Sequence, residues 1–316
     1  MNTKEFDVIV IGELNVDLIL NKIDSFPEMG KEKLANKMDL VLGSSSAIFA
    51  SNLSSLGAKI GYIGKIGNDI FGELILESLS AKNVNTDLII VDEKLKTGAT
   101  VVLNYDEDRA MVTHGGAMEH LSLEDIKSEE LKKAKHMHVS SVFLQPNIKE
   151  NIVELFKLAK DTGLTTSLDP QWDPAEKWEL DLEKLLPNVD VFIPNEEEIK
   201  NLTGRKTVLE AIKSIADFAN TVVVKKGSKG SVVLNDNKLN ELPAFLNENV
   251  VDAIGAGDSF DAGFIYKYIK SECIEICQKF GNLIGAINTT ASGGTAAFKD
   301  YKSVMEIAKN NFGYSE

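Results

Sequence analysis

Apolar and polar positions follow two different patterns along this chain. From about residue 120 onward, short apolar runs typical of buried strands are followed by stretches whose apolar residues recur with the spacing of an amphipathic helix. The predicted strands cover residues 136–143, 165–168, 189–193 and 221–225, and the predicted helices cover 148–162, 182–186, 196–203 and 208–219. Strands that alternate with helices indicate a mostly parallel sheet with helices on both faces.

The first third of the chain has a different pattern. After a buried strand at residues 7–11, segments of alternating or irregular polarity lie at 16–20, 33–41, 98–105 and 109–113. The polar triplet Asp106-Glu107-Asp108 separates the last two and predicts a hairpin turn. We expect a small antiparallel sheet, built from about residues 13–42 and 97–115, that lies over the strand ends as a lid. Because no Pro- or Gly-rich linker interrupts the chain, residues 1–316 are predicted to form one domain with this lid inserted.

Composition and charge narrow the range of functions. With 316 residues, 43% of them hydrophobic and 26% charged, the chain has the composition of a packed globular protein. Its 34 basic and 48 acidic residues give a net charge of −14, which argues against nucleic acids or anionic membranes as main partners. The longest apolar runs are strand-sized and the N-terminal residues lack signal-peptide features, so we expect a cytoplasmic protein. Cys273 and Cys277 are expected to be buried thiols on one helix face.

The segment from Asp252 to Gly263 carries the strongest chemical signal. Gly255 and Gly257 let the backbone approach a ligand, and the apolar spacing after them predicts a helix. A glycine turn that leads into a helix N-terminus suits an anion such as phosphate, because free N–H groups and the helix dipole point to the same place. Asp258 lies in the first helical turn, where the dipole is expected to keep its pKa from rising. Taken alone, the pattern fits a helix cap as well as a catalytic base.

This segment resembles the C-terminal signature of the ribokinase-like carbohydrate kinases, the PfkB family. The resemblance extends in order from Gly12 to about Asn288 and implies a three-layer α/β/α fold with a mostly parallel central sheet and a small β lid. It also implies an ATP-dependent kinase in which Asp258 is the catalytic base. The residues that would form its anion hole are Gly255, Ala256 and Gly257.

The same resemblance implies a bound monovalent cation, K⁺, beside the anion hole. Its ligands would include Asp252 and the carbonyl of Ile254. Ala253 stands where the family usually has Thr, which removes one hydroxyl and leaves the acid and the glycines in place.

Two further segments are candidates for the nucleotide site. Asn195 and Glu198, spaced i,i+3 at a predicted helix start, form a capping box by sequence and also resemble the family's Asn-x-x-Glu motif, which implies a role with Mg²⁺ and nucleotide phosphates. The turn after the strand at 221–225 is a hairpin by sequence, and the resemblance places it along the base and ribose of ATP. Its candidate residues are Lys226, Gly227, Ser228 and Gly230, with Asn288 expected near adenine.

The substrate pocket is expected near the N-terminus. Asp17, after the first strand, could be a turn acid, but the resemblance implies that it anchors sugar hydroxyls with Asn15 beside it. The next candidates lie at the start of a predicted helix and are Gly43, Ser44, Ser45 and Ile48. Ser44 replaces a family glycine and Ile48 replaces a substrate-contacting Asn, so the pocket should gain an apolar wall. Asp173 stands close to where some relatives carry an Arg for charged substrates, which favours a neutral hexose, ketose or polyol.

Other classes of function remain alternatives. A dinucleotide-dependent oxidoreductase shares the sheet type, but Gly12 is not followed by the Gly-x-Gly-x-x-Gly motif. A nucleoside kinase of the same fold and a catalytically silent sugar-binding sensor both stay open. Family members often dimerise through the lid, which makes the hairpin at 98–113 the expected surface for a homodimer. His136 and His138 share one strand face and are interpreted as packing residues, because no third metal ligand is near them in the sequence.

Overall fold

The computed structural model describes residues 4–23, 25–105 and 108–315. Its strands are β1 Phe6–Ile11, β2 Asn15–Ile23, β3 Ala35–Leu42, β4 Ile60–Gly67, β5 Ile89–Asp92, β6 Gly98–Tyr105, β7 Asp108–His114, β8 Ala134–Ser140, β9 Thr165–Asp169, β10 Val191–Phe192, β11 Thr221–Lys225, β12 Ser231–Asn235 and β13 Lys238–Leu242. Its α-helices are α1 Ser45–Ser55, α2 Ile70–Ala81, α3 Ser128–Leu131, α4 Pro146–Glu150, α5 Ile152–Asp161, α6 Leu182–Leu185, α7 Glu196–Thr203, α8 Val208–Ile215, α9 Ala256–Tyr268, α10 Ile274–Asn288 and α11 Tyr301–Phe312.

Nine of the described strands form one large sheet in the order β13-β12-β11-β10-β9-β8-β1-β4-β5. The pairs from β11 to β5 are parallel, and β12 and β13 join the edge as an antiparallel extension. The carboxyl ends of the parallel strands therefore meet along one edge, which is where α/β proteins place their ligands.

Helices cover both faces of this sheet, and each face has its own core. Along β1, Val8 and Val10 belong to the core that α1, α9 and α10 complete, whereas Ile9 and Ile11 belong to the core of α5, α7 and α8. All four side chains are fully buried, as expected for a strand covered on both faces. The three-layer fold predicted from the sequence is confirmed.

A second sheet of four strands, in the order β3-β2-β6-β7, is formed by the segments predicted to be the lid. Its outer pairs are antiparallel, while the central pair β2 and β6 is parallel because the chain crosses through the large sheet between them. The predicted lid segments are observed as strands, and the proposed turn residues 106 and 107 lie outside the described part of the chain.

Several boundaries differ from the sequence prediction. The strand expected at 189–193 is only Val191–Phe192, and the helix expected at 148–162 is divided at Asn151 into α4 and α5. Cys273 is exposed at the N-terminus of α10, so only Cys277 is the buried thiol that we expected. Among the described helices, none combines the length and the apolar character needed to cross a bilayer.

Candidate active site

The glycine loop before α9 is held in shape by polar contacts on both sides. Asp252 accepts hydrogen bonds from the backbone N–H groups of Ile254 and Gly293, at 2.9 Å each. The amide of Asn288 donates to the Ile254 carbonyl at 2.6 Å, and Ser259 Oγ lies 2.7 Å from the Gly255 carbonyl. The loop is therefore rigid before any ligand arrives.

Gly255 begins α9 in a conformation that favours glycine. Its φ is +73°, and a Cβ at this position would lie 2.7 Å from the Cα of Gly294. The next residues, Ala256 and Gly257, start the helix, whose first N–H groups have no intrahelical acceptor. The three predicted anion-hole residues thus form a helix N-terminus at the carboxyl edge of the sheet, which suits phosphate.

Asp258 lies in the first turn of α9 and is buried, with an exposed fraction of 7%. Its Oδ1 accepts a hydrogen bond of 2.9 Å from the side chain of Gln171. Burial and the nearby Asp169 carboxylate raise the pKa of Asp258 to about 6. The sequence-based expectation that the helix dipole keeps this pKa low is wrong, because the loss of solvent outweighs the dipole.

A buried charge cluster, which the sequence analysis did not identify, lies behind Asp258. Lys225 Nζ is 2.7 Å from Asp169 Oδ2 and 3.1 Å from Asp261 Oδ2, and all three side chains are almost without solvent contact. Burial alone would lower the pKa of Lys225, but the two carboxylates raise it above its usual value. Asp169, Asp258 and Asp261 are close enough to share a cation, and the Lys225 ammonium already supplies the positive charge there.

Asn195 and Glu198 form the capping box predicted at the start of α7. Asn195 Oδ1 accepts from the N–H groups of Glu197 and Glu198 at 2.9 Å each, and Glu198 Oε2 accepts from the Asn195 N–H at 2.8 Å. Glu198 is nevertheless buried, and burial together with Asp169 raises its pKa to about 8. A glutamate that only caps a helix can stay exposed. The burial of Glu198 therefore indicates that its carboxylate belongs to the Lys225 cluster as well as to the cap.

The proposed sugar-anchoring residues Asn15 and Asp17 lie together at the start of β2. Asn15 Nδ2 is 2.9 Å from Asp17 Oδ1 and 3.1 Å from Thr100 Oγ1 on the lid strand β6. A Cβ on Gly43 would overlap the carboxylate of Asp17, so the bare backbone there makes room for the acid. Burial raises the pKa of Asp17 to about 6.

The start of α1 connects this pocket with the glycine loop. Ser44 has a φ of +70°, caps α1 by accepting from the Ala47 N–H at 3.0 Å, and donates to the Glu13 carbonyl at 2.6 Å. Ser45 begins α1 and is partly buried, and further along this helix Asn52 Nδ2 donates to Ser259 Oγ of α9 at 2.9 Å. Ile48, expected as a wall of the sugar pocket, is buried against Gly255 and Gly294 and so supports the glycine loop.

The remaining nucleotide-site candidates divide into two groups. Gly227 and Ser228 are exposed in the turn after β11, on the same sheet edge as α9, and Lys226 pairs with Glu241. Gly230 has a φ of +91° and no room for a side chain, so it shapes the turn. Asn288 is fully buried and bonded to Ser259 and Ile254, so it supports the glycine loop, and its place near adenine stays a prediction.

Comparison with known proteins agrees with this arrangement. A family model described as the pfkB family carbohydrate kinase matches residues 5–300. The chain belongs to the pfkB family of carbohydrate kinases. As a member of the pfkB family, it is a phosphotransferase that acts on an alcohol group.

Three matches illustrate how closely the chain resembles pfkB-family proteins. A protein described as an uncharacterised sugar kinase from Archaeoglobus fulgidus is 32% identical over 240 residues, which are 74% of this chain and 92% of the relative. A deoxyribokinase from Salmonella typhi is 28% identical over 315 residues, covering 96% and 99% of the two chains. The structure of Arabidopsis thaliana ribokinase complexed with ribose and ATP has a TM-score of 0.85 at 25% identity and covers 96% of this chain and 99% of that one.

In the loop after β9, Asp173 has a different environment from the one that we expected. Asp173, which we expected to repel charged substrates, is buried and accepts hydrogen bonds from the N–H groups of Ala175, Lys177 and Trp178, at 2.7 to 2.9 Å. Its carboxylate therefore organises its own loop. Trp172 is half exposed and packs edge-on against Trp178.

The paired histidines have a packing role, as predicted. His136 and His138 are fully buried, and both hydrogen-bond to Ser167 Oγ at 2.7 Å. Burial lowers the pKa of His136 to about 3, so the ring is neutral at physiological pH.

Proposed function

We propose that this chain transfers the γ-phosphoryl group of ATP to a hydroxyl of a small neutral sugar. The observation that carries the proposal is the packing of α1 against the start of α9, where Asn52 Nδ2 donates to Ser259 Oγ at 2.9 Å and Ile48 lies against Gly255. It joins the start of α1, beside the pocket of Asn15 and Asp17, to the first turn of α9, where an anion would bind. One carboxylate therefore lies between a site for hydroxyl groups and a site for phosphate, as an in-line transfer requires.

Asp258 would act as the catalytic base. A pKa of about 6 leaves the carboxylate ionised at neutral pH and makes it a stronger base than an ordinary aspartate. As the sugar oxygen bonds to the γ-phosphorus and the bond to the ADP oxygen breaks, the hydroxyl proton would pass to Asp258. Gly255, Ala256 and Gly257 would stabilise the moving phosphoryl charge through backbone N–H groups, and that of Ala256 would turn from the Ala253 carbonyl, 3.2 Å away, to do so.

ATP would lie along the sheet edge between α7, the turn after β11 and α9. Asn195 and Glu198 offer oxygen ligands, and a buried carboxylate whose pKa is raised by burial and by Asp169 would gain from a divalent cation, so they fit Mg²⁺. Bound Mg²⁺ would neutralise phosphate charge. The exposed backbone of Gly227 and Ser228 would border the base and ribose, with Lys226 and Gly230 shaping that turn.

A monovalent cation such as K⁺ would bind beside the anion hole through Asp252 and the carbonyl of Ile254. Both groups already hold the glycine loop through the Gly293 N–H and the Asn288 amide. A cation on their remaining lone pairs would stiffen the same loop further. The use of ATP supports a cytoplasmic location.

A neutral sugar is favoured because the pocket side chains that could anchor it are an amide, a carboxylate and hydroxyls. Asp17, Asn15, Ser44 and Thr100 are groups that bond to sugar hydroxyls, and Asp17 would repel a phosphorylated or carboxylated substrate. The family relatives named ribokinase and deoxyribokinase support a small sugar. A nucleoside kinase of the same fold is the alternative.

The test is ATP consumption against hexoses, pentoses, deoxysugars, polyols, sugar acids, sugar phosphates and nucleosides, with Mg²⁺ and with or without K⁺. We expect turnover with a neutral sugar, and turnover that Asp258→Asn abolishes while ATP binding is retained. Asp217→Asn is the matched control, because Asp217 is exposed at the opposite edge of the sheet, before β11. Turnover with nucleosides alone would favour the nucleoside kinase, and sugar binding without turnover would contradict the proposed transfer to a sugar.

We also propose that a second copy of this chain covers the lid. On one lid face, two neighbouring rows across the four strands are entirely apolar, namely Leu40, Leu18, Val101 and Val112, and Met38, Leu20, Leu103 and Ala110. Val112, Met38 and Leu40 are exposed by 70%, 65% and 42%. An apolar sheet face of this kind marks an interface in most soluble proteins.

Sedimentation equilibrium tests the dimer. Val112→Glu and Leu40→Glu should convert dimers to monomers, whereas Val250→Glu should not, because Val250 is a comparably exposed apolar residue outside the lid. A wild-type protein that sediments as a monomer at micromolar concentration would contradict this proposal.

A further inference from the structure

The catalytic carboxylate is the last member of an unbroken chain of hydrogen bonds. Lys225 Nζ donates to Asp169 Oδ2 at 2.7 Å, Gln171 Nε2 donates to the same oxygen at 2.6 Å, and Gln171 Nε2 also donates to Asp258 Oδ1 at 2.9 Å. The chain begins at the end of β11, passes through the loop after β9 and ends on α9. Within this chain, Gln171 is the residue that bonds directly to Asp258.

The amide of Gln171 has a single productive orientation. Its nitrogen carries two protons and bridges two carboxylates, so a flipped amide would place its oxygen against two negative charges. Gln171 also has a φ of +59°, in the left-handed region that glutamine seldom occupies. A strained backbone at a polar residue that touches the reacting centre is typical of functional positions.

We propose that Gln171 is a positioning residue that holds the carboxylate of Asp258, and that Asp169 and Lys225 in turn hold Gln171. The inference rests on the proposed function, in which Asp258 is the base. With Oδ1 held by Gln171, the other oxygen of Asp258 is the one that meets the sugar hydroxyl. Because Gln171 Nε2 donates to both Asp258 and Asp169, its N–H groups offset part of the repulsion between these two neighbouring carboxylates.

Gln171→Met tests this proposal, because it keeps the length of the side chain and removes both N–H groups. We expect kcat to fall about 10- to 100-fold, with KM for sugar and for ATP within about threefold of wild type. The acid limb of the kcat–pH profile should move to higher pH, since the charged form of Asp258 loses a donor while Asp169 on β9, Glu198 on α7 and Asp261 on α9 still face it. Lys225 on β11 remains as the opposing positive charge.

Conservative and combined variants separate positioning from structure. Gln171→Asn keeps a donor and fits a left-handed backbone, so it should recover at least about fivefold of the turnover lost in Gln171→Met. In the Asp258→Asn background, Gln171→Met should have no further effect on residual turnover. Thermal unfolding of each variant shows whether it is folded, and if the Met variant is not, Gln171→Ala takes its place with the same measurements.

The outcomes distinguish this inference from the proposed function. If Asp258→Asn abolishes turnover but Gln171→Met leaves kcat and the pH profile unchanged, the positioning role is overturned and the base remains. If Gln171→Met raises only KM, Gln171 binds substrate and the positioning role is again overturned. If Asp258→Asn itself keeps turnover, the proposed base is overturned.

Discussion

A buried glutamate beneath the substrate pocket makes stability depend on pH in an unusual direction. Glu13 follows β1, is 1% exposed, and accepts hydrogen bonds from the hydroxyl and the N–H of Ser46. Burial raises its pKa from 4.5 to about 7 despite these donors. The folded state therefore holds this proton more tightly than the unfolded state, so the stabilising contribution is complete below pH 4.5 and is lost as the pH rises through 7.

The size of the effect follows from the two pKa values. Relative to a carboxyl that stays neutral, ionisation of Glu13 costs about 1.4 kcal/mol of stability at pH 5.5 and about 3.3 kcal/mol at pH 8. Glu13→Gln removes the charge and keeps the shape. The free energy of unfolding of Glu13→Gln relative to that of wild type should therefore be about 2 kcal/mol larger at pH 8 than at pH 5.5.

Urea unfolding of wild type and Glu13→Gln at pH 5.5 and pH 8 measures this difference. Glu306→Gln on α11 serves as the control, because Glu306 lies at the surface and its removal should change stability equally little at both pH values. The reasoning is refuted if the stability difference between Glu13→Gln and wild type is the same at pH 5.5 as at pH 8.

Three further outcomes follow from the site. Gly255→Ala should lower kcat about 100-fold while sugar binding by calorimetry persists, because a Cβ at a φ of +73° would meet the Gly294 backbone and displace the anion-binding N–H groups. Asp17→Asn should raise KM for the sugar at least about 10-fold and leave KM for ATP within about threefold, since Asp17 lies in the sugar pocket; an equal rise in both would contradict the assignment. In steady-state assays kcat should fall below about pH 6 and reach about one tenth of its plateau at pH 5, because protonation of Asp258, whose pKa is about 6, removes the base; a flat profile down to pH 5 would show that Asp258 does not limit the reaction.

The glycine loop could be predicted from the sequence because its chemistry is local. Gly255, Gly257 and Asp258 are neighbours in the chain, and the spacing of apolar residues after them already indicates the helix whose N-terminus they form. The capping box of Asn195 and Glu198 is local in the same way. Order along the chain was therefore enough to place these residues correctly.

The Lys225 cluster could not be predicted because it depends on the order of the strands. Asp169 ends β9 and Lys225 ends β11, and the two strands are separated only by β10, which is two residues long. So short a central strand leaves space in which the two side chains can meet. Only the fact that both residues end strands of a parallel sheet could have suggested their contact.

Burial explains why other expectations about individual residues were wrong. The pKa of Asp258 was inferred from the helix dipole, which the sequence shows, and not from the loss of solvent, which it does not show. Asp173 was expected to repel substrates, yet its charge is taken up by three N–H groups of its own loop. Ile48 and Asn288 were assigned to ligand contacts, and the structure shows that both also support the glycine loop, which the sequence did not indicate.

The charge balance at the end of the crevice has a consequence for the nucleotide. Among the described residues that meet there, the carboxyl groups of Asp169, Asp258, Asp261 and Glu198 face one ammonium, that of Lys225, which already bonds to Asp169 and Asp261. Burial raises the pKa of Glu198 and of Asp261, so a bound cation would favour their ionised forms. Lys225 therefore has little charge left for a triphosphate, and the protein as a whole carries a net charge of −14. The N–H groups of α9 supply only the partial charge of a helix terminus. We thus expect ATP binding to this chain to depend steeply on Mg²⁺, more so than in a kinase that holds phosphates with free lysine or arginine side chains.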